Sequence, residues 1–410
     1  MKILLVSNSD SVGGASIAAF RLLQALNVSP NTDAKMFVKS KTINSSLILS
    51  KYNSNISRAF SLFRSPIGSI IQKLQKTENY NLHSGNWLPS FSHRYINKSD
   101  CDIVNLHWIN AEFLSIEDIG KINKPVVMTL HDMWAFCGSE HVTDYSSEPR
   151  FKSGYLSESK KNKGIDLDRL VWLRKKHAWK NNITIVCPSQ WLADCAKQSA
   201  LFSNHSVHVI PNALDTKTFK PLDKDFCRSI LGLPKDKKLI GFSAWGGSSD
   251  VNKGFDLLRE SLEMVESDII EGVVLGQSDG VKKIGNVGIN YLGHLHDKVT
   301  LSIFYNALDL VVIPSRIENQ SQIASEAASC GVPVVAFNAS GLKDSVDHLL
   351  TGYLAEPFKA ESLFKGIDFI LESKHYNDIC DNAREKALQT YSEEKIMTMY
   401  NDLFSMILNG

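Results

Sequence analysis

The chain is organised by short apolar runs, rich in Val, Ile and Leu, that alternate with longer stretches of helical period. In the first half these runs are KILLVSN, DIVNLHW, PVVMTLHD, TIVCPS and VHVIPN. A second series follows: LIGFSAW, GVVLGQ, INYLG, LVVIPS and VPVVAF, each ending in a Gly, Ser, Pro or His loop. Strands that are apolar on both faces must be covered on both faces, and helices between them do this for parallel sheets. Two series therefore predict an α/β chain of two doubly wound, Rossmann-like domains. A length of 410 residues, 43% of them apolar, exceeds what one core ordinarily organises. Prolines and charges interrupt the pattern in IPNALDTKTFKPLDKD, residues 210 to 225, which places the seam. The expected domains are 1–212 and 213–385, with a C-terminal helix over 386–410 rejoining the first.

Composition narrows the function classes. With 45 basic and 44 acidic residues the net charge is +1 and the basic residues are dispersed, so the footprint of a nucleic-acid binder is absent. The seven cysteines form no CxxC pair and sit mostly in apolar surroundings, as expected of unbridged thiols in a reducing compartment. Met1 opens into ILLV, which turns polar at Ser7, too soon for a signal-peptide core. No segment approaches the ~18 apolar residues of a membrane span. These features predict a cytoplasmic protein that is neither exported nor membrane-spanning.

In open parallel sheets ligands bind beyond the carboxyl ends of the strands, so the loops there are where chemistry is sought. After the first run, SNSDSVGGAS puts Gly13 and Gly14 just before a helix, where backbone N–H groups approach an anion closely; a tight turn needing positive φ is the competing reading. In AWGGSSDVNKGFDLL, Lys253 and Gly254 precede a helix with apolar residues at 255, 257, 258 and 262, and a lysine at that edge can reach a diphosphate. A solvated surface lysine is the alternative. His131 follows one strand and His107 ends another, as candidate acids, bases or hydrogen-bond donors, or, for His107, a buried structural histidine. His131, Cys137 and His141 lack a fourth ligand at usual zinc spacing, so no metal site is assigned.

The stretch IENQSQIASEAASCG, residues 317 to 331, carries Glu318 and Glu326 with seven residues between them. Asn319 reads as an N-cap with Gln322 completing a capping box, and Gly331 then Pro333 end the helix. At helical rise the two glutamates would stand about 12 Å apart if both lay on it. The carboxylate pair of a retaining glycosidase needs about 5 Å, so these two do not straddle one bond. They suit the two ends of an elongated ligand whose diphosphate lies at the helix N-terminus, the layout of a nucleotide sugar. Glu326 sits among Ala324, Ala327 and Ala328, where unpaired burial would be costly.

The set PSRIENQSQIASEAASCGVPVVAF, NKGFDLL, VIPNALDTKTFKP, TLHDMW and SVGGA resembles the retaining glycosyltransferases of family 4, over nearly the whole chain. The segments TLHDMW and VWLRKKHAW…PSQWLADCAKQSALF are similar to bacterial transferases that build colanic acid, O-antigen and other surface polysaccharides. The resemblance implies the GT-B fold, two Rossmann-like domains facing across a cleft. It also implies that Glu318 meets the donor sugar and Glu326 the ribose, with Asn319, Gln320 and Ser321 offering backbone amides. Lys253 matches the diphosphate-binding lysine, His131 a histidine near the transferred sugar, and Gly14 the loop between donor and acceptor. Many relatives place an arginine five residues before the lysine, where this chain has Ser248; Arg316 is a candidate for the second cation. Relatives of the narrower group carry several cysteines after HDMW, whereas this chain has only Cys137.

The expected activity is metal-independent, retaining transfer of a hexose from a UDP- or GDP-linked donor to a lipid-linked glycan acceptor in O-antigen, capsule or exopolysaccharide synthesis. The alternatives are a non-catalytic nucleotide-sugar-binding protein and a GT-B epimerase or phosphorylase. Residues 58 to 76, RAFSLFRSPIGSIIQKLQK, mix apolar and basic residues in a way suited to peripheral contact with the inner membrane. Pro66 and Gly68 are expected to break a continuous helix there, and a core-facing helix pair is the competing reading.

Overall fold

The computed structural model describes residues 1–50, 55–143, 149–156, 162–180, 183–243, 250–295 and 297–410, with backbone alone over 55–62. The chain divides into two compact units, 1–212 with 396–410, and 213–395.

The first unit contains β1 (Lys2–Ser9), β2 (Asp33–Ser40), β3 (Ile48–Ser50), β4 (Gln75–Thr77), β5 (Ile103–His107), β6 (Val126–Thr129), β7 (Asn162–Gly164), β8 (Ile183–Cys187) and β9 (Val207–Val209). Its main sheet has the order β3-β2-β1-β5-β6-β8-β9, all parallel, while β4 and β7 form a separate antiparallel ribbon. Leu5, Val6, Val104 and Val127 are fully buried in this sheet, which is why its strands read as unbroken apolar runs. The helix Gly14–Leu26 covers it with Ala18, Ala19, Leu22, Leu23 and Leu26, a stripe at helical spacing.

The second unit contains β10 (Lys238–Ser243), β11 (Ile270–Leu275), β12 (Lys283–Ile284), β13 (Val287–Tyr291), β14 (Leu310–Ile313), β15 (Val334–Phe337) and β16 (Gly352–Ala355). The order is β12-β13-β11-β10-β14-β15-β16, parallel except for the β12 edge. Asp309, just before β14, accepts from the Leu239 amide, Arg228 and Lys224, each at 2.7 Å, and so locks β14 beside β10.

Strand order reverses between β1 and β5 in one sheet and between β10 and β14 in the other. These are the positions where doubly wound sheets open a crevice at the strands' carboxyl ends.

Two expectations about helices are corrected. The segment Asn55–Gln72 is one helix with Pro66 inside it. A proline removes one amide donor but fits helical φ, and Gly68 marks a close approach, since a Cβ there would lie 2.6 Å from the Glu112 carboxylate. At the C-terminus the expected single helix over 386–410 is two, Tyr376–Tyr391 and Glu393–Asn409, divided at the extended residue Ser392. Ala383, Ala387 and Tyr391 pack in the second unit's core and hold the first of these helices there. The last helix belongs to the first unit, where Tyr400 meets Thr129 Oγ1 at 3.1 Å.

Candidate functional site

In the second unit the site grows from two loops at the β10/β14 crevice. Asp250 caps a single 3-10 turn, Val251–Lys253, by accepting from the Asn252 amide at 2.9 Å. Gly254 then turns the chain at φ 69° into the helix Phe255–Glu263. A Cβ on Gly254 would stand 2.0 Å from the Pro314 carbonyl oxygen, so only glycine lets this turn lie against the end of β14. The two loops are stitched together: Arg316 N donates to Asn252 O at 2.8 Å, and Asn252 Nδ2 to Ile317 O at 3.0 Å.

Arg316, the candidate second cation, is engaged elsewhere. Its guanidinium forms a fork on Asp256 at 2.6 and 3.0 Å and donates to Val251 O. Its charge is matched by a carboxylate on the helix that follows the Lys253 turn. Ser248, the position of the missing arginine, lies outside the described residues.

The Glu318 loop rests on the turn after β15. Glu318 N donates to Ser340 Oγ at 3.0 Å, and Gly341 N donates to Glu318 O at 2.8 Å. A Cβ on Gly341 would fall 1.4 Å from the Asn319 carbonyl oxygen, so that backbone contact requires glycine. Lys253 Nζ lies 2.6 Å from Glu318 Oε1, with side chains only 23% and 18% exposed. The facing Glu318 charge raises the Lys253 pKa against the opposing effect of burial, so the ammonium stays charged.

The helix that follows is Gln322–Ser329, and its N-cap is Ser321, whose hydroxyl accepts from the Ala324 amide at 3.3 Å. The capping box expected at Asn319 is not formed. Asn319 is held one step earlier against Gly341, and Ser321 is the residue with extended backbone (φ −77°, ψ 113°) placed to reach the third amide beyond it. Glu318 therefore precedes the helix by a loop, and Glu326 is buried within it. Tyr305, on the helix Lys298–Ala307, donates to Glu326 Oε2 at 2.8 Å. Lys253, Glu318, Asn319, Gln320 and Ser321 thus gather around one helix N-terminus, with Glu326 about one turn in. An ammonium, the positive end of a helix and a carboxylate are what a diphosphate joined to a hydroxylated group requires.

In the first unit Gly13, at φ 85° and ψ 156°, opens the helix that begins at Gly14, and a Cβ there would meet nothing within 4 Å. Its carbonyl accepts from the Ser16 and Ile17 amides at 3.1 Å each. His107 ends β5, and its Nδ1 lies 3.0 Å from Nε2 of His131, which follows β6. Burial lowers both imidazole pKa values, that of His131 to about 4, so both rings are neutral at neutral pH. Asp132 joins a second network, accepting from Trp108 Nε1 at 3.0 Å and meeting His141 Nδ1 at 2.6 Å, with His141 Nε2 on Ser84 Oγ at 2.8 Å. His141 is thereby committed to a structural network.

Residues missed in the sequence are Asp256, Tyr305, Ser340 and Gly341. The one available signal was Gly341, in an ASG turn just after a buried strand.

Among the described residues no group of three or more His, Cys, Asp or Glu side chains is arranged to hold a metal ion, and no helix is long and apolar enough to cross a membrane.

Comparison with known proteins adds five matches. Residues 223–387 match the family described as glycosyl transferases group 1, and residues 70–218 match glycosyltransferase family 4. The chain is 26% identical over 242 residues to the lipopolysaccharide 1,2-N-acetylglucosaminetransferase of Salmonella typhimurium, covering 54% of this chain and 62% of that protein. It is 32% identical over 167 residues to the D-inositol 3-phosphate glycosyltransferase of Xylanimonas cellulosilytica, covering 37% and 39%. It thus spans less than two thirds of the length of either curated relative. The solved structure of HepE of Anabaena, in complex with UDP and glucose, superposes with a TM-score of 0.66 over 99% of both chains at 18% identity, a likeness of fold.

Proposed function

The chain belongs to the family 4 glycosyltransferases of the GT-B fold, and from that premise we propose that it moves a hexose from a UDP- or GDP-linked donor to a lipid-linked glycan of a bacterial surface polysaccharide. The observation that carries this reading is the Lys253–Glu318 pair at the β10/β14 crevice, beside the N-terminus of the helix Gln322–Ser329. The nucleotide and sugar seen with HepE, and the lipopolysaccharide transfer named for the Salmonella relative, fit such a donor and acceptor.

In this reading Lys253 and the first-turn amides around Asn319, Gln320 and Ser321 hold the diphosphate, Glu326 takes the ribose, and Glu318 and His131 address the sugar. Gly13 leaves room beside the helix that begins at Gly14. The C1–O bond to the diphosphate breaks as the acceptor oxygen bonds C1 from the same face. The acceptor proton passes to the departing phosphate oxygen, where the positive potential stabilises the growing charge. A lysine and a helix N-terminus offset diphosphate charge without a divalent cation, so turnover is expected to persist in EDTA.

The proposal includes peripheral membrane contact through the helix Asn55–Gln72 and the residues after it. Phe63, Ile67, Ile70 and Leu74 are exposed along one stripe, with Lys73 and Lys76 beside it. Arg64 is not part of the basic fringe: it is buried, donating to the Leu88 and Phe113 carbonyls. Charge reversal of Lys73 and Lys76 should weaken binding to anionic vesicles.

The test of function is transfer to water. With an α-linked nucleotide sugar, the first product seen by NMR should be the α-hexose together with nucleoside diphosphate. A β product would overturn same-face transfer. Formation of an epimerised nucleotide sugar, or of a sugar phosphate when phosphate and glycan are supplied, would favour the epimerase or phosphorylase reading.

A further inference from the structure

The contact between the two imidazoles at the ends of β5 and β6 links their tautomers. His107 Nδ1 and His131 Nε2 are 3.0 Å apart, with ring planes 32° from each other. Neutral rings share one proton in such a contact, so one donates and the other accepts. Either both rings carry hydrogen on Nδ1 or both carry it on Nε2.

His107 is 1% exposed, and its Nε2 has no hydrogen-bond partner among the described residues. Ser7 Oγ and Asn8 Oδ1, on the neighbouring strand, make no bond to it. If both rings were Nε2–H, a buried N–H would be stranded at His107; if both are Nδ1–H, only a ring lone pair is left there. A stranded buried N–H is the rarer and the more costly of the two. This outweighs the slight preference of a free imidazole for the Nε2–H form. His131 is only partly buried, and with Nε2 committed to His107, Nδ1 is the nitrogen left for a ligand.

We propose that His107 is a positioning residue that fixes His131 in the Nδ1–H tautomer, so that His131 presents a hydrogen-bond donor, and not a base, to a sugar oxygen. The part concerning sugar rests on the reading of His131 under Proposed function; the tautomer does not. The same geometry gives His131 a fixed ring orientation, since rotation would break the bond to a side chain closed inside the sheet. A donor at this place suits a hydroxyl oxygen of the transferred hexose and cannot take the acceptor's proton.

The direct test is long-range proton–nitrogen NMR of histidine-labelled protein at neutral pH, which reports the protonated nitrogen of each ring. Both His107 and His131 should appear as Nδ1–H forms. An Nε2–H signal or an imidazolium at His131 would overturn the proposal, whether or not the protein turns over nucleotide sugars. The second test compares variants. His107→Asn keeps an N–H donor near the position of Nδ1, and His107→Leu removes it. Leu should leave His131 as a mixture of tautomers and lower kcat about tenfold or more with little change in donor KM, and Asn should restore a single Nδ1–H form and most of that rate. Equal impairment in both variants, with His131 unchanged by NMR, would reduce His107 to packing.

Discussion

The Lys253 ammonium lies 2.6 Å from a Glu318 carboxylate oxygen, at the point in the second sheet where strand order reverses. Each partner neutralises the other until an anion competes for the lysine, so under the proposed function diphosphate binding and release of Glu318 toward a sugar hydroxyl would be coupled events. Lys253→Ala should therefore lower affinity for the nucleoside diphosphate by about tenfold to a hundredfold while leaving the monophosphate within about threefold, by calorimetric titration. Equal losses for both would remove Lys253 from the diphosphate.

The backbone contact beneath Glu318 leads to a separate expectation. Gly341→Ala would push a Cβ into the Asn319 carbonyl and displace the Glu318 loop. It should cost more than about 2 kcal/mol by denaturant unfolding and depress donor binding as well. Gly232→Ala is the control: its φ is 65°, but nothing lies within 4 Å of the new Cβ, so only about 1 kcal/mol of backbone strain is expected. Similar effects at both positions would mean that the close approach at Gly341 does not hold the loop.

Glu326 separates ribose binding from simple core satisfaction. Glu326→Ala should weaken every ligand that carries the ribose by roughly tenfold or more, nucleoside monophosphate included. Tyr305→Phe removes the donor to Oε2 and should weaken the same ligands less. A change in melting temperature with intact affinities would assign Glu326 to a structural role in the core.

Most of the strands that were legible, such as β1, β5, β6, β14 and β15, are those whose burial on both faces made them unbroken apolar runs. β2, DAKMFVKS, escaped because lysines interrupt it, and β16, GYLA, because four residues beginning with glycine carry little pattern. At the site, the residue types and spacing of Lys253, Glu318 and Glu326 could be read because helix starts and charge placement are local. Ser321 and Asn319 are both competent caps, and the close approach of Gly341 to the Asn319 carbonyl, a contact distant in sequence, goes with the choice of Ser321. Tyr305 is 21 residues from Glu326, and Asp256 is 60 from Arg316. Such pairings are set by the packing of helices and strand ends, which no local period encodes.

Glu140 gives a pH signature that is independent of ligand. Burial, reinforced by the nearby Asp168 charge, raises its carboxyl to about 8, with Tyr155 donating to one oxygen. The folded state keeps a proton that the unfolded state loses above its ordinary value near 4.5. This position therefore favours folding at low pH and loses that contribution as pH rises from about 4.5 to about 8. Glu140→Gln has no such proton to lose. Its stability relative to the parent protein should climb by about 1 kcal/mol per pH unit across that window, by denaturant melts. A constant difference would mean that the carboxyl is ionised in the fold.

If the Lys253–Glu318 crevice takes a nucleotide sugar, the melting temperature of the purified protein across UDP- and GDP-hexoses, repeated with Lys253→Ala, reports it. Binding to the folded state alone raises stability by about 2.7 kcal/mol at a hundredfold excess over Kd. One base class should raise the melting temperature, the matching nucleoside diphosphate should retain part of the shift, and Lys253→Ala should abolish most of it. No shift from any nucleotide sugar or nucleoside diphosphate, or a shift of equal size in Lys253→Ala, would contradict it.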